Sequence, residues 1–503
     1  MRSLSKVARA ISALAIALAA SGCSLRPDPE EFRAPEVGEC HIQFSGYRAV
    51  FSCDIKGENF NEAGFIFDSE VILAEPDGNR ISIEVSGLEP NSTHAITAFL
   101  SNGRSQVKGP EKTFTVEETD PVIAIPDTAF RAYLLKEFDT NKDGQLSELE
   151  SENIHNIDCK AQNIRSLEGI ENFRNLESLT VQDEKEEKGM IREINLSKNN
   201  RLRCLIINGC NARKLILPES PEWLTDIHCW GNRIDSLDFT RLPRLKLFWG
   251  GGNHISKADF SKCPDLERLA CSDFDLYNQG LDLSNNPNLV CLECTNCGLK
   301  SLDLSHNPNL DELRAGSNLF KEIDLSKNLK ITHLSLGGSS LTRLDISFLK
   351  DLEELDLSET RLQQPIDPLQ FKELINYSGN NNNLGYAPQF ANPSKMTDVH
   401  ICGTGGAHYI DKDYFRQFPA LKGINFGGYP GEELDLSANT QIQYVWGSDM
   451  PILKVLDLSA SPYLKEIYIN ECPNLRTVYL SKSIAKENLK VESNNSPVEI
   501  IYK

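Results

Sequence analysis

Apolar residues between Leu289 and Leu357 recur in near-copies. Leu302, Ile323 and Leu344 stand 21 residues apart, and so do Leu289, Leu310, Ile331 and Leu352. Within Leu310-x-x-Leu313-x-Ala315, residues two apart project to one side, as a strand requires. One such segment cannot bury that side alone, so successive copies must stack and add strands to a parallel sheet. Apolar positions that open a strand recur at Ile154, Leu176, Leu202, Leu224, Leu245, Leu266, Leu289, Leu310, Ile331, Leu352, Phe371, Met396, Leu421, Ile442 and Leu464. Fifteen strands at about 4.8 Å each give an arc on the order of 70 Å. After Leu352 the spacing becomes irregular, and the Asn-rich stretch Gly379–Ser394 reads as a looped insertion. So does Asp183–Gly189, dense in Glu and Lys.

Asn318 falls where the chain turns after a strand. Its amide can donate and accept, and so satisfy backbone groups that the turn leaves unpaired. Small or polar residues take this slot elsewhere: Cys210, Cys297, Ser339, Thr360, Thr404 and Cys472. A Leu/Ile-Asp-Leu-Ser-x-Asn turn at 281–286, 302–307 and 323–328 returns the chain. The motif L-x-x-L-x-L-x-x-N-x-L at this period is that of leucine-rich repeats. The chain resembles the short, irregular 21-residue bacterial class, which implies a solenoid over residues 154–503.

Residues 1–22 pair a basic start (Arg2, Lys6, Arg9) with the apolar run Ala10–Ala20, too short to span a bilayer. Ala20-Ser21-Gly22-Cys23 resembles a bacterial lipobox. The resemblance implies that 1–22 is removed, that Cys23 is lipidated, and, with Ser24 next, that the anchor lies in a Gram-negative outer membrane. Acyl chains contribute about 0.8 kcal/mol per buried methylene. Residues 23–35 read as a polar tether, and acidic residues soon after the Cys weakly resemble surface-export signals.

Residues 36–118 alternate polar and apolar in short segments, the pattern of a small antiparallel sandwich. Leu88-Glu-Pro90 through Phe99, with Lys112-Thr-Phe114-Thr-Val116, resembles fibronectin type III, with His94 where that family usually has Tyr. Cys40 and Cys53 flank a hairpin turning near Gly46, so a cross-strand disulfide is a candidate.

Residues 119–153 hold the sharpest local motif. Asp139, Asn141, Asp143, Gly144, Gln145, Ser147 and Glu150 match the twelve-residue calcium loop in type and spacing. Side-chain oxygens of Asp139, Asn141, Asp143 and Glu150, the Gln145 carbonyl, and Ser147 directly or through water would hold calcium. Asp127 can cap a helix whose Phe130, Tyr133, Leu134 and Phe138 share a face. The loop resembles an EF-hand or dockerin-type repeat. A single copy just before the first strand predicts a calcium-pinned cap over the open end of the solenoid.

A net charge of −20 argues against a nucleic-acid partner and allows cationic ones or calcium. Cys159, Cys229, Cys271 and Cys294 fall in inward slots, which predicts buried thiols rather than a disulfide framework. Cys291, Cys294 and Cys297 look clustered, but repeat register accounts for them better than metal.

The sheet face not used in packing, the concave side of a solenoid, is the usual binding surface. The register places Trp230, Trp249, Tyr444, Trp446 and Tyr468 on it, with His228, His333 and His400. Large exposed aromatics are favoured in binding hot spots. Glu293, Glu312, Glu354, Asp356 and Glu373 lie between and would favour a cationic ligand. The same residues could instead be solvated or packed on neighbouring strands. The chain carries no zinc-protease, nucleophile-elbow or phosphate-loop motif. Paired carboxylates such as Glu354/Asp356 are more often plain surface than a glycosidase dyad. The expected function is non-catalytic recognition of a protein or peptide by a surface lipoprotein. The alternatives are a subunit of an outer-membrane, nutrient-importing assembly, or glycan binding.

Overall fold

The computed structural model describes residues 34–45, 48–57, 60–116, 120–160, 163–182, 190–382, 384–403, 407–484, 489–494 and 498–503. The leader, Cys23, most of the tether, Asp183–Gly189 and Thr404 lie outside these. The chain divides into two units, Met1–Asp120 and Pro121–Lys503.

In the first unit all the strand pairing is antiparallel. Glu36–Ser45, Arg48–Lys56 and Arg80–Val85 form one sheet. Glu62–Phe67 and Thr93–Ser101 centre another, flanked by Glu70–Leu73, Gln106–Lys108 and Lys112–Thr115. Alternate residues turn inward, so Phe51, Phe65, Ile81, Ile96 and Leu100 share a core. His94 anchors a strand start: one ring nitrogen lies 2.5 Å from Asp68 Oδ2, the other 2.6 Å from Ser92 Oγ. Cys40 and Cys53 are direct register partners, both buried and both thiols. The Cys53 Sγ donates to the Gly38 carbonyl at 3.2 Å.

The second unit is a parallel β-solenoid of leucine-rich repeats. Among the described residues its long sheet has sixteen strands in chain order. Most are three residues long, and the middle residue points inward. Leu205, Ile227, Phe248, Leu269, Leu292, Leu313, Leu334 and Leu355 form one continuous register row, all buried. Burying each such side chain contributes roughly 1.5–3 kcal/mol. The strands begin two residues after the apolar positions that mark them in the sequence, as with Cys291–Glu293 after Leu289.

Three sequence expectations need correction. Lys490–Asn494 adds a sixteenth strand that lacks the leucine signature. Phe371 is not a strand opener: Asn376–Ser378 is the strand, and Leu374 holds the matching inward position. Gly379–Ser394 is not an insertion. Asn376–Ser378 pairs directly with Asp398–His400, and Asn382 fills the regular turn slot, donating to the Leu357 carbonyl at 2.7 Å. The pattern misled because Tyr377 and Phe390 replace leucine in the core there. Toward the C-terminus the returning Leu-Asp-Leu-Ser segments are more than turns. Glu433–Asp435, Val455–Leu458, Thr477–Leu480 and Glu499–Tyr502 pair as a second parallel sheet.

Asparagines bond each turn to the one before. Asn318 Oδ1 accepts from the N–H groups of Cys297 (3.2 Å) and Leu299 (3.0 Å). Its Nδ2 donates to the carbonyls of Cys294 (2.8 Å), Ala315 (3.0 Å) and Gly316 (3.2 Å). Asn232 and Asn253 repeat this earlier in the chain. Cys297 keeps one link, its Sγ donating to the Cys271 carbonyl at 3.1 Å. A second ladder runs through the return turns: Asn286, Asn307 and Asn328 each donate to two carbonyls of the preceding turn. Cys159, Cys229, Cys271 and Cys294 are buried thiols, as their slots require; burial pushes Cys229 up to about 12.

Two helices precede the first strand, α1 (Thr128–Phe138) and α2 (Glu148–Glu152). Asp127 caps α1, accepting from Ala129 and Phe130 N–H, and its other oxygen accepts from Arg165 and Ser166. Phe130 and Leu134 enter the solenoid core. The Tyr133 hydroxyl accepts from Asp158 N–H on the edge strand at 3.1 Å. α1 thus packs against the edge strand of the long sheet.

Candidate functional site

Because the middle residue of each short strand is buried, the first and third face outward. This places Trp249, Tyr444 and Trp446 on the outer face of the long sheet, with Tyr468 beside Trp446 as its register partner. Trp230 follows the inward Cys229, just beyond Asp226–His228. Trp230 and Trp249 remain 41% and 40% exposed. Tyr444, Trp446 and Tyr468 are half-buried.

Each outward cluster is braced by a histidine. The Trp249 ring lies 5.1 Å from His228. Trp446 stacks on Tyr444 at 5.7 Å and meets the His400 ring edge-on at 5.5 Å. His400 and Trp446 sit on strands separated by Gly423–Asn425, and Asn425 is the register partner of both. A Cβ at Gly423 would collide with Asp398 Oδ1 and lie close to His400 Nε2. Burial lowers both imidazole pKa values below the ordinary one, against the opposing pull of Asp226 on His228 and of Asp398 and Asp356 on His400. Both rings are therefore neutral near pH 7. Fixed rings of this kind lose little freedom on binding.

Nine strand steps separate Trp249 from Trp446, about 43 Å at about 4.8 Å per step.

Between the clusters the acidic run is not a free negative surface. Arg314 lies 2.6 Å from Glu312, 3.8 Å from Glu293 and 4.0 Å from Glu354. Burial raises the Glu312 pKa, but the Arg314 hydrogen bond and charge outweigh it and lower it overall. Asn376 Nδ2 also donates to Glu354 at 2.7 Å. Glu373 precedes its strand and pairs with Lys395 at 2.7 Å, off the strand face. The sequence reading counted carboxylates and overlooked the one arginine among them. Cys291, Glu293 and Glu312 are the described group whose ligand atoms gather within 4.8 Å, and Arg314 already meets its charge.

The calcium-loop residues lie together between α1 and α2. Asp139 accepts from Lys142 (2.6 Å) and Gly144 (2.9 Å), Asn141 from Asp143, and Asp143 from Gln145. Lys142 and Gly144 take positive φ, 63° and 81°, which lets the loop close. Ser147 caps α2 and shares a capping box with Glu150. Glu150 Oε1 accepts from Thr140 N–H at 2.7 Å, and Oε2 from Ser147 N–H at 3.1 Å. Burial raises the Glu150 pKa, but hydrogen bonds from Ser147, Thr140 and Asn141 outweigh it and leave the group below its ordinary value. The donor set is all oxygen, which suits a hard cation.

No protein-family model matches the chain, and no curated protein does. Among solved structures, the functional domain of InlJ from Listeria monocytogenes, which includes a cysteine ladder, is similar over 72% of this chain and 83% of its own, with TM-score 0.55 and 21% identity. An internalin, InlF, from Listeria monocytogenes strain 4b F2365 is similar over 75% of this chain and 98% of its own, with TM-score 0.38 and 17% identity. At its identity the first likeness is one of fold, and it agrees with the repeat solenoid described above.

Proposed function

We propose that the chain is a recognition protein that binds a protein or peptide across the outer face of its long sheet. The observation that carries this reading is the pair of braced, partly exposed tryptophans, Trp249 and Trp446, separated by about 43 Å. A drug-sized molecule cannot span both, whereas a protein surface can. Aromatic anchors on a rigid element are the usual source of interface affinity. The test is to capture a partner with the chain and measure its affinity for the Trp249→Ala and Trp446→Ala variants. Undiminished affinity in both would overturn the reading.

The lipobox-like Ala20–Cys23 supports presentation from a lipid anchor in an outer membrane. Cys23→Ala should move the protein from the membrane pellet to the soluble fraction. Retention in the pellet without a partner would contradict the anchor. In an oxidising exterior Cys40 and Cys53, already opposite one another, would close a cross-strand disulfide.

The loop 139–150 would hold calcium through Asp139, Asn141, Asp143, Glu150, the Gln145 carbonyl and Ser147. Bound calcium would supply a fixed positive charge to a cap that already folds around its own N–H groups. At a hundredfold excess over its Kd, a ligand specific for the folded state adds about 2.7 kcal/mol. Calcium should therefore raise the melting temperature and protect residues 139–152 from proteolysis, and Glu150→Ala should abolish both effects. Melting and cleavage indifferent to calcium would contradict the site.

A further inference from the structure

The two tryptophan clusters are built on the same short sequence. Thr225-Asp226-Ile227-His228 and Thr397-Asp398-Val399-His400 each form a strand with its leading residue. In both, the threonine Oγ1 lies within hydrogen-bond distance of the aspartate, 2.5 Å from Asp226 and 2.8 Å from Asp398, and in the second copy it also lies 2.6 Å from Asn376 Oδ1. In both, the middle residue is buried and the histidine contacts an outward tryptophan. In the second copy an extra strand intervenes, and Gly423 on that strand lets Asp398 lean toward the aromatic side. Eight strand steps separate the copies, about 38 Å.

These aspartates differ from Glu293, Glu312 and Glu354 between them, though not in this respect from Asp356, which accepts from Ser335 and Ser358. Glu293, Glu312 and Glu354 share Arg314. Asp226 and Asp398 have no Lys or Arg within 4.0 Å among the described residues. Each is thus a carboxylate without a basic partner on the face that carries the indole, one paired strand away for Asp226 and two for Asp398, with a neutral imidazole that repels no cation. Tryptophan is the best aromatic partner for a cation, and a guanidinium on its face can turn N–H groups toward a carboxylate. Asp226 and Trp249 are diagonal neighbours on paired strands, about 7–8 Å apart and within that reach; Asp398 instead leans over Gly423, the register partner of Tyr444, whose ring stacks on Trp446.

We propose that each Thr-Asp-x-His strand with its tryptophan seats one cationic side chain of a protein partner. The partner presents two such side chains, Arg by preference, about 40 Å apart. This rests on the protein-binding reading above and assigns the chemistry of its two anchor points. The net charge of −20 favours approach of such a partner.

The probes are acetyl-Gly-Arg-Gly-amide, its isosteric uncharged citrulline analogue, and two Arg units joined by a Gly/Ser linker of about 50 residues, whose mean span is about 40 Å. They are titrated onto the full chain. The Arg probe should fill two similar sites, and the citrulline probe should bind at least about tenfold more weakly. Asp226→Asn or Asp398→Asn should each remove one site and the pair both, while Asp356→Asn on the same face removes none. The linked probe should gain about a hundredfold over the single one, and lose this gain in either single variant. Equal binding of citrulline, two sites surviving the double variant, no saturable binding of the Arg probe, or binding of oligosaccharides in its place would overturn the proposal. If partner affinity falls in the tryptophan variants but not in the aspartate ones, protein binding stands and the cation seats fall. If the tryptophan variants leave it unchanged, the underlying reading fails.

Discussion

Asn318→Ala will destabilise the solenoid by about 3 kcal/mol or more. The side chain is buried and makes five hydrogen bonds to the backbone. Alanine takes that partner from the Cys297 and Leu299 N–H groups and from the Cys294 and Ala315 carbonyls inside the coil, while the Gly316 carbonyl keeps the Asn296 N–H at 3.0 Å. A buried group stripped of its hydrogen bond costs roughly 1–3 kcal/mol. Solenoid stability is a sum of repeat and neighbour terms, so damage in one turn weakens its links to both sides. Denaturant unfolding should shift to a lower midpoint, and the transition should broaden as the two ends uncouple. Asn309→Ala is the control: its half-buried amide makes only solvent-exposed bonds, donating to the Pro287 carbonyl and accepting from Lys330 Nζ, and it should cost under about 1 kcal/mol. Asn318→Cys should fall between the two, because Cys297 keeps one such link in the neighbouring turn. Equal stability of Asn318→Ala and Asn309→Ala would remove the ladder from the account.

Trp249→Ala and Trp446→Ala should each weaken partner binding about tenfold or more. Lying about 43 Å apart, the two substitutions should add, giving about a hundredfold in the double variant. Their effects on folding should differ. Trp249 is 40% exposed and touches only His228 among the described rings, so its loss should move the melting temperature little. Trp446 is held between Tyr444 and His400, and its loss should cost about 1 kcal/mol of aromatic packing. Calorimetry beside a binding titration separates the two effects. A Trp446→Ala variant that unfolds would mark a packing residue.

Much of this was legible in the sequence because the repeat makes one physical rule visible many times. Leucines 21 residues apart gave the strands, and the residues between them gave the outward face. The rule weakened where aromatic residues took leucine positions, as at Tyr377 and Phe390, and an ordinary turn then looked like an insertion. The last strand of the long sheet, Lys490–Asn494, offers no leucine at all. For the site, the register placed Trp249, Tyr444, Trp446 and Tyr468 on outward strand positions, whereas Trp230 lies in the turn beyond its strand. What it could not give was lateral contact between strands more than twenty residues apart. That is how Arg314 came to neutralise three glutamates, and how Gly423 makes room for the Asp398 carboxylate beside it. The duplicated Thr-Asp-x-His was in plain view, but four residues repeated once mean little until both copies prove to brace a tryptophan.

The central claim is that one partner covers both aromatic clusters at once. Hydroxyl-radical footprinting of the chain with and without its captured partner tests this directly. The account predicts simultaneous protection of Trp249 and Trp446, while Tyr277, Tyr409 and Tyr463, exposed elsewhere, stay as reactive as in the free chain. Protection of those tyrosines or of the first unit, with both tryptophans unchanged, would contradict it.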